Sequence, residues 1–545
     1  MPLPLPTSLA DPSLSPVLGS IQLVFLVLAF AIALTYIARR LGIADPILLL
    51  LGGIVLSQLP KLPDIVLAPD IVFLLFLPPI LFGAAYFTPI RDFRANLRPI
   101  LLLAVGLVLF TTVVVALVAQ QLTGMPMAAA FALGAIVAPP DAVAATAVFR
   151  RLGVPRRIVT ILEGESLLND ASALIAYRAA VVAGGTIVAG SLVAGPEFSL
   201  GAASVDFVVA AVGGMAIGAV VGAILTRTLS KTADPVIEII VSLLAPATAY
   251  IAAEQIHVSG VLATVVAGLI TGRRAARVLS PDARLMGAGV WQTVIWLINA
   301  FVFMLIGLQL PAILRAVLVD HTPGQLAVLG LGVAATVIVA RIAWVFPASY
   351  LPRLVSSKIR ERDPYPPPQA VFIVSWAGMR GVVSLAAAFA LPPDFPSRDL
   401  ILFLTFCVIA ATLVGQGLTL PWLIRHLGVL APGGQDSEEV HARIAAVEAA
   451  LLRLEELKND FPTHLPLIDQ LREEYEHEAG HVVPEPGAEP DEVEQELIDH
   501  RAIRNAVLGA QREAVISLRD AGVINDETLR SIERDLDLEA VRSGA

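Results

Sequence analysis

Apolar runs of about 20 residues recur from Leu18 to Ile424, separated by short breaks of Pro, Gly and charge. Each run is long enough to cross the roughly 30 Å hydrocarbon core of a bilayer as a helix. A chain built this way folds as a polytopic all-α membrane protein, because backbone polar groups in lipid are satisfied only within helices or closed barrels. The composition agrees, with 56% hydrophobic and 15% charged residues. A soluble enzyme is excluded for that stretch. The single cysteine, Cys407, lies inside an apolar run, which leaves no disulfide framework and no cysteine-based metal site. Residues 1–17 contain no Lys or Arg, so they lack the basic start of a signal peptide; a retained first span is expected.

The formal charge of -10 conceals two regions. Residues 432–545 hold 27 acids against 11 bases, leaving 20 acids against 26 bases and a net charge of +6 for residues 1–431. The division predicts an external N-terminal segment (1–17), a cationic membrane domain (18–431) and an acidic helical tail (432–545). The acidic tail argues against nucleic acid as a partner.

Thirteen candidate spans follow from the breaks: 18–38, 45–59, 68–88, 98–121, 126–150, 158–182, 204–229, 233–254, 257–272, 289–311, 324–351, 367–391 and 399–424. Basic residues test this division. Alternate loops carry about twenty Lys and Arg, from Arg39 and Arg40 to Arg425, whereas the opposite loops carry Lys61, Arg315 and Arg398. The positive-inside rule then places the N-terminus outside and the tail in the cytoplasm. Thirteen divides into two six-helix repeats around a linker helix, with the second repeat inverted. Interrupted helices are expected at corresponding places. The fifth run contains Gly134-Ala-Ile-Val-Ala-Pro-Pro-Asp141 and the twelfth Trp376-Ala-Gly-Met-Arg-Gly381. Pro139 and Pro140 lack N–H groups and should unwind the fifth; Gly378 and Gly381 permit the same around Arg380.

Ionisable groups at bilayer depth are costly and point to ion pathways or paired interiors. At 1.5 Å per residue, Asp141 lies about 14 Å, Asp170 about 18 Å and Arg380 about 20 Å from the cytoplasmic ends of their runs. Ser166 and Asp170 share one helix face, with Glu165 and Asn169 on the adjacent stripe. These oxygens, with carbonyls of the broken run, form an all-oxygen set suited to a hard cation. A buried carboxylate that sheds its proton when a cation replaces it makes the two compete, and alternating exposure turns competition into exchange. Asp170 is the candidate carrier. Arg380 is expected to pair with Glu165, and Arg341 is expected in a structural pair whose partner the sequence does not identify, Glu238 being one candidate. Glu163 is expected to attract cations into a cytoplasmic funnel, Arg178 to snorkel from near the outer edge and Glu254 to be a charge at the outer rim.

Four motifs in order resemble the monovalent cation:proton antiporters of the NhaP/NHE type: Ala138-Pro-Pro-Asp-Ala-Val-Ala-Ala-Thr146, Glu165-Ser-Leu-Leu-Asn-Asp170, His257-Val-Ser-Gly-Val-Leu-Ala-Thr-Val-Val-Ala-Gly268 and Gly378-Met-Arg-Gly-Val-Val-Ser-Leu385. The resemblance covers about three quarters of the chain. It implies a homodimer, with spans one to three and eight to ten at the interface and spans four to six and eleven to thirteen as the moving bundle. It further implies that Asp170 carries Na+ (or K+, Li+) or H+, that Asp141 and Ser166 help to coordinate, that Glu165 and Arg380 are a structural pair, and that Asn169 next to Asp170 marks the electroneutral type. Family members often place Thr before the broken-helix aspartate; here Pro140 offers only its carbonyl. No cofactor and no enzymatic activity are expected, and the location expected is the inner (plasma) membrane. Potassium in place of sodium is the nearest alternative. From other classes come a membrane sensor signalling through the tail and a metallohydrolase built on His477-Glu-Ala-Gly-His481, a zinc-protease pattern weakened by Gly480 and ended by Pro484. In the tail, Val440, Ile444, Val447, Leu451, Leu454 and Leu457 mark an amphipathic helix suited to pairing in a dimer, and Asn525 or Asp526 is expected to cap the last helix.

Overall fold

The computed structural model describes residues 15–58, 72–184, 186–188, 191–193, 200–232, 234–430, 434–482, 490–523 and 526–543. By its contacts the chain divides into two compact units, Met1–Ala431 and Pro432–Ala545. Among its described residues the first unit is helical apart from a small antiparallel hairpin, Thr186–Val188 with Ser191–Val193. Its helices are α1 (Ser15–Leu41), α2 (Asp45–Leu56), α3 (Val72–Phe87), α4 (Ile90–Ala95), α5 (Leu97–Thr123), α6 (Met127–Val137), α7 (Val143–Leu152) and α8 (Arg156–Gly184). The chain continues through α9 (Leu200–Leu229), α10 (Pro235–Glu254), α11 (Gly260–Val278), α12 (Pro281–Leu308) and α13 (Leu310–Val317). It ends with α14 (Pro323–Val355), α15 (Ser357–Arg362), α16 (Pro368–Trp376), α17 (Val382–Phe389) and α18 (Arg398–Leu427). Among the described residues, seven helices are long and apolar enough to cross a bilayer; α2, α3 and α6 are shorter apolar helices. This is a multi-pass membrane body.

Small residues bring the helices together, as expected where lipid offers no hydrophobic drive for helix association. Gly214 and Gly218 of α9 lie against the backbone of Ser259, which caps α11, and of Ala263 within it. On its other side α11 sets Gly268 and Gly272 against the backbone of Phe82 and Tyr86 in α3. A side chain at any of these positions would meet main chain, which cannot yield. The ninth run differs from its expected extent: Ser259 caps the helix by accepting from the Leu262 N–H at 3.2 Å, and the helix continues to Val278 through Arg273, Arg274 and Arg277.

The fifth and twelfth runs are broken, each into two half-helices. Residues 138–142 separate α6 from α7, and residues 377–381 separate α16 from α17. Within α5, residues Leu102–Leu107 form a π turn, and Trp344 of α14 donates from its indole N–H to the Leu102 carbonyl at 3.0 Å. A second π turn, Ala411–Gln416, interrupts α18 beside the break at Arg380. Such bulges often occur at functional sites.

The tail unit contains α19 (Gly434–Asp460), α20 (Leu465–Val482), α21 (Pro490–Asp520) and α22 (Asp526–Ser543). Val447 and Leu454 of α19 are buried within the chain, as is Ile468 of α20, so those two stripe positions are already covered without a second copy. Arg472 of α20 pairs with Glu455 of α19. The side chains of Val440, His477, Glu478 and His481, the segment 483–489 and Asn525 lie outside the described residues.

Candidate ion-binding site

The two broken runs touch through their backbones. The Asp141 N–H donates to the Met379 carbonyl at 2.7 Å, so the unwound segments are joined where they meet. Gly381 approaches the Asp141 carboxylate so closely that a Cβ there would overlap it. Asp141 is half-buried, and its carboxylate accepts the Val143 N–H at 2.9 Å, at the start of α7. One negative group therefore stands beside the N-terminal ends of two half-helices, α7 and α17, where the helix dipole favours it.

The positive groups stand at the opposite ends. Arg380, fully buried, donates from Nε to the Val137 carbonyl at 3.0 Å and from Nη2 to the Ala138 carbonyl at 3.5 Å, at the C-terminus of α6. It also donates to the Gly378 carbonyl, and its own N–H donates to the Thr412 hydroxyl at 3.0 Å, in the π turn of α18. Arg341 of α14, also fully buried, donates to the Val374 carbonyl near the end of α16 at 3.1 and 3.3 Å. Each guanidinium thus satisfies carbonyls that a half-helix leaves open.

The expected ion pair requires correction. Glu165 is fully buried and accepts two hydrogen bonds from Arg341, at 2.5 and 2.9 Å, not from Arg380. Arg380 is occupied by carbonyls instead, although it remains within electrostatic range of both members of the pair. The signal was present in the sequence. The rise that puts Arg380 about 20 Å deep puts Arg341 at about 15 Å and Glu165 at about 11 Å, a better match. Glu238 is likewise not the partner of Arg341: its Oε2 accepts from the Ser280 N–H and hydroxyl at 3.0 and 3.2 Å. Arg178 and Glu254 pair with each other at 2.9 Å. Glu163 is paired with Arg150 of α7 at 2.7 Å.

On α8, Asn169 is fully buried and donates from Nδ2 to the Pro140 carbonyl at 2.6 Å. The carbonyl expected as a ligand is therefore already engaged, with one lone pair left. The Asn169 Oδ1 has no hydrogen-bond partner. Ser166, half-buried, accepts the Ala142 N–H at 3.4 Å. Asp170 is 7% exposed, and among the described residues no protein group donates to its carboxylate. It lies within electrostatic range of Asp141. Asp170, Asn169, Ser166, Pro140 and Asp141 are thus brought together by α8 and the first break. Several of their acceptor oxygens remain unpaired, which in a buried setting is costly without a donor or a cation.

Interrupted helices meeting beside buried carboxylates, inside a multi-pass helical body, are the architecture of a secondary transporter. The chain belongs to the sodium/hydrogen exchanger family, whose transmembrane-domain model matches residues 26–426. It is 34% identical over 542 residues to a Mycobacterium tuberculosis protein named as an uncharacterized Na+/H+ exchanger, covering 96% of each chain. It is 34% identical over 424 residues to a Bacillus subtilis sodium, potassium, lithium and rubidium/H+ antiporter, covering 74% of this chain and 61% of that one. Its fold is similar to that of the sodium proton antiporter of Methanocaldococcus jannaschii, with a TM-score of 0.59, 20% identity, and coverage of 75% of this chain and 99% of the other. The family is one of antiporters rather than enzymes.

Proposed function

We propose that the chain is an electroneutral sodium/proton antiporter, exchanging Na+ for H+ at one carboxylate, Asp170, by alternating access. The observation that carries this reading is the Asp170 carboxylate, almost buried and without a protein donor, beside the unpaired Oδ1 of Asn169. A proton or a cation can satisfy it, and occupation by one excludes the other. Asp141 and Ser166 complete the oxygen set, and the Pro140 carbonyl fixes Asn169 in place. Asp141 is held by main-chain bonds at the crossing, which suits a group that stays while the carrier changes state. The Glu165–Arg341 pair and Arg380 serve the architecture, neutralising each other and the open ends of α6 and α16. A single exchanging carboxylate moves one charge in each direction, which is the basis for electroneutrality. Thirteen spans in two inverted repeats, an outer N-terminus, a cytoplasmic tail, the inner (plasma) membrane and a homodimer belong to the same reading.

Potassium is a second reading, favoured by the range of cations in the name of the Bacillus subtilis relative. Purified protein in sealed liposomes, with voltage clamped and gradients of Na+, K+ or Li+ imposed, decides both points. Proton flux that follows a cation gradient and ignores voltage is the expected result, and the order of the cations names the substrate. Flux that responds to voltage at fixed cation gradients would remove electroneutrality from the account. No flux with any cation would return weight to a sensor acting through the tail.

A further inference from the structure

The arginines on the side where α3 ends and α4 begins fall into two kinds. Arg98, Arg157 and Arg353 converge on Asp363 at 2.5–2.6 Å, and Arg150 is held by Glu163. Arg91, Arg94 and Arg273 have no carboxylate among the described residues. All three are exposed and line one cavity of about 630 Å³, formed between the turn from α3 into α4 and the last turns of α11. The nearest acid in sequence, Asp92, is engaged by Arg156 at 3.2 Å. The Thr88 hydroxyl in the wall donates back to the Ala84 carbonyl at 2.7 Å. Gly272, also lining the cavity, lies against the backbone of Tyr86, which fixes the spacing of α3 and α11 and hence the cavity's shape.

Three arginines lining one concavity, with no carboxylate partner among the described residues, offer the paired N–H donors through which Arg binds phosphate. Two sources could supply that chemistry. Phe87, next in the chain to Thr88 of the cavity wall, and Leu97, three residues after Arg94, are exposed at 45% and 39%, as apolar side chains facing lipid would be, which favours a phospholipid headgroup over free phosphate. We propose that Arg91, Arg94 and Arg273 form a binding site for a phosphate group, presented by an anionic phospholipid. Bound there, the phosphate bridges α4 to α11. Helix α4 is anchored by Phe93 in an apolar cluster with Leu77 and Leu81 of α3 and Leu167 of α8, three residues before Asp170.

The test is native mass spectrometry of the full chain in detergent, titrated with dioleoylphosphatidylglycerol, with dioleoylphosphatidylcholine and, separately, with inorganic phosphate as competitor. The variant is Arg91→Ala/Arg94→Ala/Arg273→Ala. A control, Lys358→Ala/Arg360→Ala/Arg362→Ala, removes the same charge from α15, and circular dichroism verifies that both are folded. Near a membrane surface each arginine contributes about fivefold to binding an anionic lipid, so the triple variant should weaken phosphatidylglycerol binding on the order of a hundredfold. The control should stay within about twofold. Inorganic phosphate that displaces the lipid at millimolar concentration would keep the site and make a soluble phosphate its ligand. Failure to displace it, with pocket-dependent lipid binding, assigns the headgroup. Equal losses in both variants, or undiminished binding in the pocket variant, would overturn the proposal, as would absence of binding by the unmodified protein.

Discussion

Replacing Arg341 with Met leaves the Glu165 carboxylate, fully buried, without two hydrogen bonds and without its counter-charge, and it strips the Val374 carbonyl of its donors. Removing one member of a buried ion pair costs about 3–5 kcal/mol. Glu165→Gln should cost a comparable amount, because it strands the guanidinium. The double variant removes both charges and should cost about 2 kcal/mol less than the sum of the single ones, the signature of direct contact. Each single variant should lower the apparent melting temperature of the purified protein by roughly 5–10 °C, read by intrinsic tryptophan fluorescence. Arg380→Met combined with Glu165→Gln is the decisive comparison. It should show much less coupling, since Arg380 donates to carbonyls rather than to Glu165. Stronger coupling of Glu165 to Arg380 than to Arg341 would refute the assignment.

Three further expectations follow from the same geometry. Asn169→Leu removes the bond that holds the Pro140 carbonyl and strands that oxygen, at about 1–3 kcal/mol; it should lower the melting temperature and raise the apparent KM for the cation in liposome flux. Gly381→Val forces a side chain into the Asp141 carboxylate, so flux should fall and stability should drop by about 1–3 kcal/mol, whereas Gly415→Ala, where nothing stands within 4 Å, should be close to neutral in melting. Burial pushes the Asp363 carboxyl up, but hydrogen bonds and charge from Arg353 and Arg157 outweigh it and hold the group below the ordinary carboxylate range. Its stabilisation is therefore complete above about pH 4 and is lost as pH falls through the lower, folded-state value, so Asp363→Asn should melt below the unmodified protein by a constant margin from about pH 5 to 8, and the margin should close in stronger acid.

The breaks were legible because their causes are local. Pro139 and Pro140 cannot continue a hydrogen-bonded helix, and the second break falls at Gly378 and Gly381, so both could be placed within a few residues from the sequence alone. The polar stripe on α8 was legible for a similar reason, since positions three and four apart share a face. The partner of Glu165 was not read correctly. Rise per residue gives depth along a helix axis, and depth favoured Arg341, but it does not say which neighbouring helix faces the carboxylate. Nor does spacing reveal that an arginine is satisfied by the carbonyl ends of half-helices, because those acceptors carry no sequence signature. The burial of Val447 and Leu454 within the chain was missed because an apolar stripe fits an intrachain contact and a dimer equally well.

The central claim is that a cation and a proton compete for the Asp170 carboxylate. Protons released into weak buffer when NaCl or KCl is added to the purified protein measure this without any transport step. The account predicts close to one proton per chain at a pH where the site is protonated, declining as pH rises, and none from Asp170→Asn protein that melts as a folded chain. Release that persists unchanged in Asp170→Asn, or no release by the unmodified protein at any pH at which it is folded, would contradict it.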